Sequence, residues 1–85
     1  MKETEVGFVD NYFNKIGVAV IKITSGSLYI GDTVRFLGNT TDFEQKIESM
    51  QVDHKAVEKV SKGKMAGLKT NDRVRVFDKV LKMIE

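Results

Sequence analysis

The stretch GVAVIKITSGSLYIGDTV, residues 17–34, decides the fold. Val18, Val20, Ile21, Ile23 and Thr24 are β-branched, the residue class that fits a pleated, half-buried surface. Gly26 and Gly31 follow at places where the chain must turn, and glycine enters the left-handed backbone region without the penalty a Cβ brings. Between them Leu28 is placed to anchor a short extended piece inward. Asp32 is placed to accept a hydrogen bond from a nearby backbone amide as an Asx turn. The segment therefore reads as a buried strand, a turn, a short strand, a second turn and the start of another strand.

Working outward, Gly, Asn and Asp punctuate the rest of the chain at the spacing of short strands in a sandwich or barrel. With no proline in 85 residues, those three residue types must make the turns. Strands are expected over 6–13, 18–24, 28–30, 33–37 and 43–50, around Val57, and over 65–68, 73–77 and 80–84. In 43–50, Phe43 and Ile47 share one face. In 73–77, Val74 and Val76 are expected to point inward and Arg73 and Arg75 outward. The expected fold class is all-β, a small closed or partly closed antiparallel Greek-key barrel of about six to eight strands in a single domain over the whole chain. Closing the sheet removes edges that would otherwise recruit other chains.

Composition narrows the function. The chain has no cysteine, so neither a disulfide nor a thiolate metal site holds it together, which suits a cytoplasmic location. Residues 2–5 are charged or polar, unlike a secretory leader, and no apolar run approaches a membrane span. Residues 1–54 carry five Lys/Arg and eight Asp/Glu, and residues 55–85 carry nine Lys/Arg and four Asp/Glu, so the halves have net charges of −3 and +5. A basic half favours a polyanionic partner, against the plainer reading of a solvated lysine-rich face.

Catalytic constellations are missing. The single histidine, His54, cannot supply the three or four ligands of a zinc site, and no nucleophile-elbow pattern accompanies any serine. Gly63-Lys64 is not a phosphate loop, because Glu58 stands where the first glycine belongs and Met65 where Ser or Thr belongs. No catalytic residue, no cofactor and no metal is expected, and the chain reads as a non-enzyme.

Gly7-Phe8-Val9, the β-branched run 18–23 and Gly26-Ser27-Leu28-Tyr29-Ile30-Gly31-Asp32 occur in the order and spacing of a known pattern. So do Ile47-Glu48-Ser49-Met50-Gln51 and the stretch 57–68 with Gly63, Gly67 and Leu68. Together they resemble the β-barrel that forms the second domain of elongation factor Tu, initiation factor two and related translational GTPases. Where that family often places Gly-Asp before its last strand, this chain has Phe77-Asp78. Where the family commonly has an acid after the later glycine, it has Lys64.

The resemblance implies a translation-related, non-catalytic binding module that contacts tRNA or rRNA. The candidate RNA-binding residues are Lys62, Lys64, Lys69, Arg73 and Arg75, with Tyr12, Phe13 and Tyr29 as aromatic positions and Phe13 the one expected in the core. Related barrels also serve as accessory modules in peptidase-like and RNA-modifying enzymes. The alternative is thus a protein-interaction subunit docking on a separate translation factor, enzyme or GTPase through its apolar positions, among them Val18, Val20 and Ile30.

Overall fold

Along residues 18–23, Ala19, Ile21 and Ile23 are fully buried while Val18, Val20 and Lys22 are half-buried. This period of two is the repeat of a strand with one face in the core. A computed structural model describes residues 2–84 and places this strand in the middle of an all-β fold. The strands are β1 Lys2–Phe13, β2 Val18–Ile23, β3 Ser27–Tyr29, β4 Thr33–Leu37, β5 Asp42–Lys46, β6 Met50–Val52, β7 Lys55–Val57, β8 Lys59–Ser61, β9 Met65–Lys69 and β10 Lys79–Ile84.

Eight strands form one antiparallel sheet in the order β5-β4-β10-β1-β2-β9-β6-β7, and β3 pairs with β8 in a separate ribbon. The expected small antiparallel fold is present, and it is partly closed. Among the described residues no ladder joins β5 to β7, the two ends of the sheet. A side chain bridges the seam instead. Gln45 on β5 donates from Nε2 to the Lys69 carbonyl (2.9 Å) and accepts at Oε1 from the Asn71 amide (2.7 Å). It is one of four buried polar residues among those described, so both of its hydrogen bonds offset the cost of its desolvation.

The core draws on both sheets. Leu28 of β3 and Val60 of β8 bring the ribbon against Val9, Ile21, Phe36, Leu68 and Val80 of the large sheet. Phe43 packs on Phe36 with ring centroids 5.1 Å apart, an arrangement favoured by the ring quadrupoles.

Two turns of the same construction launch strands β4 and β10, which pair with each other. In the first, Asp32 donates from its amide to the Tyr29 carbonyl (3.1 Å), and its Oδ2 accepts from the Tyr29 amide (2.9 Å). In the second, the Asp78 amide donates to the Arg75 carbonyl (3.1 Å), and Oδ2 accepts from the Arg75 amide (2.8 Å). The third residue of each turn needs positive φ: Gly31 at 95° and Phe77 at 74°. Phe77 therefore occupies a glycine position, and the turn survives its departure from the Gly-Asp pattern.

This corrects the expected strand over 73–77. Val74 is buried, but Val76 and Phe77 are 45% and 77% exposed, because the chain turns there instead of running on. The number of strands also exceeds the expected six to eight. The strand expected over 43–50 breaks at residues 47–49, and residues 55–61 form two short strands. At the break, the Ile47 amide donates to the Asp32 carbonyl and the Gly31 amide donates to the Ile47 carbonyl, each at 2.8 Å.

Gly7 is required for a different reason. A Cβ on it would overlap the Lys22 backbone carbonyl, which the β1–β2 ladder holds in place. Gly7→Ala is expected to destabilise the chain by about 1–3 kcal/mol, the usual cost of overpacking, read as a lower urea midpoint. An unchanged midpoint would show that the two strands can separate.

Arg35, on the outer face of β4, donates from Nε to Asp42 Oδ1 (2.7 Å), from Nη2 to Asp42 Oδ2 (2.8 Å) and from Nη1 to Glu3 (3.1 Å). The bidentate guanidinium holds the Asp42 carboxyl below the ordinary carboxylate range. A carboxylate whose pKa is depressed by folding contributes stability above its unfolded value and loses it as pH falls through the folded value. Stability is therefore expected to decline below about pH 4. In Arg35→Ala this acid-side slope should flatten, as measured by urea midpoints over a pH series.

Candidate functional site

The five basic residues singled out above do not form one cluster. Lys62 and Lys64 flank Gly63 in the turn between β8 and β9, while Lys69 ends β9 and Arg73 and Arg75 follow it. Lys69 lies five residue steps along extended chain from Lys64, a span of roughly 16 Å. Nor are the turn amides available to a phosphate. The Gly63 amide donates to the Ile23 carbonyl (2.8 Å) and the Lys64 amide to the Ser61 carbonyl (3.1 Å). Arg73 and Arg75 do not alternate on a strand face. They line a shallow depression with Thr40–Phe43 and Asp72, where the acidic side chains offset part of their charge. Tyr29 is 44% exposed and already has the Nζ atoms of Lys59 and Lys82 at 5.4 and 5.2 Å from its ring centroid. Tyr12 packs against the core.

The feature that stands out is apolar. Strands β1, β2 and β9 carry hydrophobic side chains on their outer as well as their inner face. Cross-strand register places Phe13 opposite Val18, Val20 opposite Gly67, Lys22 opposite Met65, and Phe8 opposite Lys22. Residues opposite one another share a face, so these form an outer strip, which Asn11 opposite Val20 and Lys69 opposite Val18 border with polar groups. Gly67 carries no side chain and leaves a floor, with the Val18 side chain and the Gln51 carbonyl nearest to it. The resulting groove of about 420 Å³ is lined by Phe13, Ile16, Val18, Val20 and Met65, with Asp53 and His54 at its rim. Phe13, Ile16 and Met65 are 47%, 63% and 46% exposed. Phe13 is thus not the core residue expected. At the far end of the strip Phe77 stacks on Phe8, ring centroids 6.1 Å apart.

The ion pairs lie beyond this strip, the nearest of them beginning at Lys79, which stands opposite Phe8. All the ion pairs among the described residues join groups near β4, β10 and the first half of β1: Glu3–Arg35–Asp42, Glu5–Lys79 and Asp32–Lys82. Among those residues, no three His, Cys, Asp or Glu side chains gather as metal ligands would, and no helix is long and apolar enough to cross a membrane.

No family model matches the chain. Over 80 residues, 93% of its length, it is 41% identical to an uncharacterized protease of Methanocaldococcus jannaschii. Over a segment of the same length it is 38% identical to a collagenase of Porphyromonas gingivalis. The similarity is to proteases. These segments are 19% and 22% of the two proteins, so the chain spans about a fifth of the length of the curated relatives it matches. In fold it is similar to the C-terminal domain of a protein named as a U32 peptidase from Geobacillus thermoleovorans. That likeness has a TM-score of 0.86 at 20% identity, over 93% of this chain and 91% of that domain.

These findings correct the translational reading. The relatives are proteases and a collagenase, not elongation or initiation factors, so the translation-related, RNA-binding function is withdrawn. The physical reason lies in the motif that carried the resemblance. Gly26 and Gly31 have φ of 70° and 95°, Leu28 is fully buried, and Asp32 closes its turn. Every element of that motif serves the backbone of a small barrel-like fold, so it marks a fold and carries no function. The groove has no single local sequence signature because its residues lie on four separate strands and two turns. A local signal was present nonetheless, since Ile16 stands in a turn, Asn14-Lys15-Ile16-Gly17, where polar residues are the norm.

Asp53 and His54 form the two-residue connection of the β6–β7 hairpin, with φ of 53° and 65°. Two left-handed residues define a type I′ turn, whose preferred sequence is Asn-Gly. Asp53→Asn combined with His54→Gly is expected to raise stability by up to about 1 kcal/mol, measured by thermal or urea unfolding. A loss of stability would mean that the native pair makes contacts beyond the turn.

Proposed function

We infer that this chain is a non-catalytic accessory domain of a U32-type peptidase. One observation carries the reading: the chain is similar over nearly its whole length to proteases of which it matches only about a fifth. A segment of that size is one domain among others. Its fold is similar to a C-terminal domain that stands as a separate unit at nearly the same length. The internal chemistry points the same way. His54, the sole histidine, sits at the tip of an exposed hairpin, and the core is filled by apolar side chains. On this reading proteolysis belongs to the remaining four-fifths of such a protein, and the β domain contributes surface.

The purified chain is expected to release no peptides from gelatin or casein. A chimera of the Porphyromonas gingivalis collagenase carrying this chain in place of its own matched segment is expected to keep collagen cleavage. Hydrolysis by the isolated chain, or a folded chimera that no longer cleaves, would overturn the reading.

A further inference from the structure

Three places in this chain break the local rules of turn chemistry. Ile16, an isoleucine 63% exposed, stands at the tip of the β1–β2 turn. Asp53 and His54 hold left-handed backbone where Asn-Gly is preferred. Phe77 holds a left-handed conformation that its twin turn fills with Gly31, and it leaves an aromatic ring 77% exposed. Asp53, His54 and Phe77 hold backbone that L side chains rarely adopt, and Ile16 exposes apolar surface to water. The Phe77 turn is held by the Asp78 carboxylate and by the Phe77 amide on the Val9 carbonyl (2.8 Å), but its ring meets only Phe8 and stays exposed. All three border the same surface, the outer strip of β1, β2 and β9. Ile16 and His54 lie at the groove, and Phe77 lies beyond Met65 and Lys22 at the other end. Sites where local preference loses are where function is expected.

We propose that this outer strip is the face on which the domain docks against the catalytic body of its peptidase. The occupant is a predominantly apolar, weakly charged surface of that body that fills the groove over Gly67. This inference rests on the accessory-domain reading above. Four observations support that occupant. Relatives about five times longer place a large body beside the domain. The ion-paired surface suits water, whereas the groove bears none of those pairs, the nearest beginning at Lys79 opposite Phe8 at the far end of the strip. The groove is lined mainly by carbon, and buried interface centres are depleted of charge. Asp53 and His54 stand at the rim, where polar groups of an interface sit and where hydrogen bonds fix register.

Hydroxyl-radical footprinting of the isolated chain and of the collagenase chimera tests this. Phe13, Ile16 and Met65 are expected to lose labelling several-fold in the chimera, with Tyr29, on the separate ribbon, unchanged. Equal labelling of the groove residues in the two proteins overturns the proposal, and protection at Tyr29 in their place does the same. Protection that grows with concentration in the isolated chain also overturns it, in favour of self-association. A second variant guards against a misfolded chimera. Ile16→Asp with Met65→Glu alters exposed positions, so the isolated chain should keep its thermal transition. In the chimera the same pair should split off a separate transition for the β domain. A chimera that cleaves collagen with its groove fully labelled would leave the accessory reading standing and remove this one. Hydrolysis by the isolated chain would remove the accessory reading itself.

Discussion

A carboxylate folded back onto the amide three residues before it sets the geometry on which the rest of this chain depends. Asp32 and Asp78 each make that contact, and each fixes the direction in which a strand departs. The two strands so launched, β4 and β10, lie side by side, and β10 then pairs with β1. An error in either turn would misdirect the pairing that joins the charged side of the sheet to its centre. Asp78 is itself buried and packs against Gly38, where a Cβ would overlap its carboxylate. The second turn is therefore clamped from outside as well as closed from within. This clamp lets a bulky residue, Phe77, stand where the backbone calls for glycine.

The fold was largely legible because its signals are local. The β-branched run of β2, the two glycine turns around Leu28 and the Asx turn at Asp32 all follow from residue chemistry within a few positions. The misses have physical causes of the same scale. Val74 and Val76 alternate with arginines and so read as a strand, yet the Asp78 carboxylate draws the Arg75 amide into a turn. Asp53-His54 carries no Asn-Gly signal, so the β6–β7 hairpin was not seen. Gln45 alternates onto the face of Phe43 and Ile47, but only the curl of the sheet brings the Lys69 carbonyl within its reach.

Function was less legible, and the reason is instructive. A small barrel-like fold imposes its own sequence pattern, with glycines at positive φ and apolar anchors at fixed offsets. Chains that share those demands look alike whatever they serve. The basic second half pointed to a polyanion, but its lysines are dispersed over four strands and a turn, and the Gly63 and Lys64 amides of that turn are already engaged within the fold. The outer strip was half visible. Val18 and Val20 mark β2 as apolar on both faces, but its extent appears only when β1, β2 and β9 are set in register.

The seam at Gln45 has a consequence of a different kind. The carboxamide that ties β5 to the end of β9 has no charge to lose or gain, and both its partners are backbone groups. This tie is thus indifferent to acid and to salt, whereas the Glu3–Arg35–Asp42 cluster at the outer surface responds to both. The chain keeps its curvature and its surface charge under separate control. Homologous chains can exchange the Glu3–Arg35–Asp42 and Glu5–Lys79 pairs on the outside without reopening the seam.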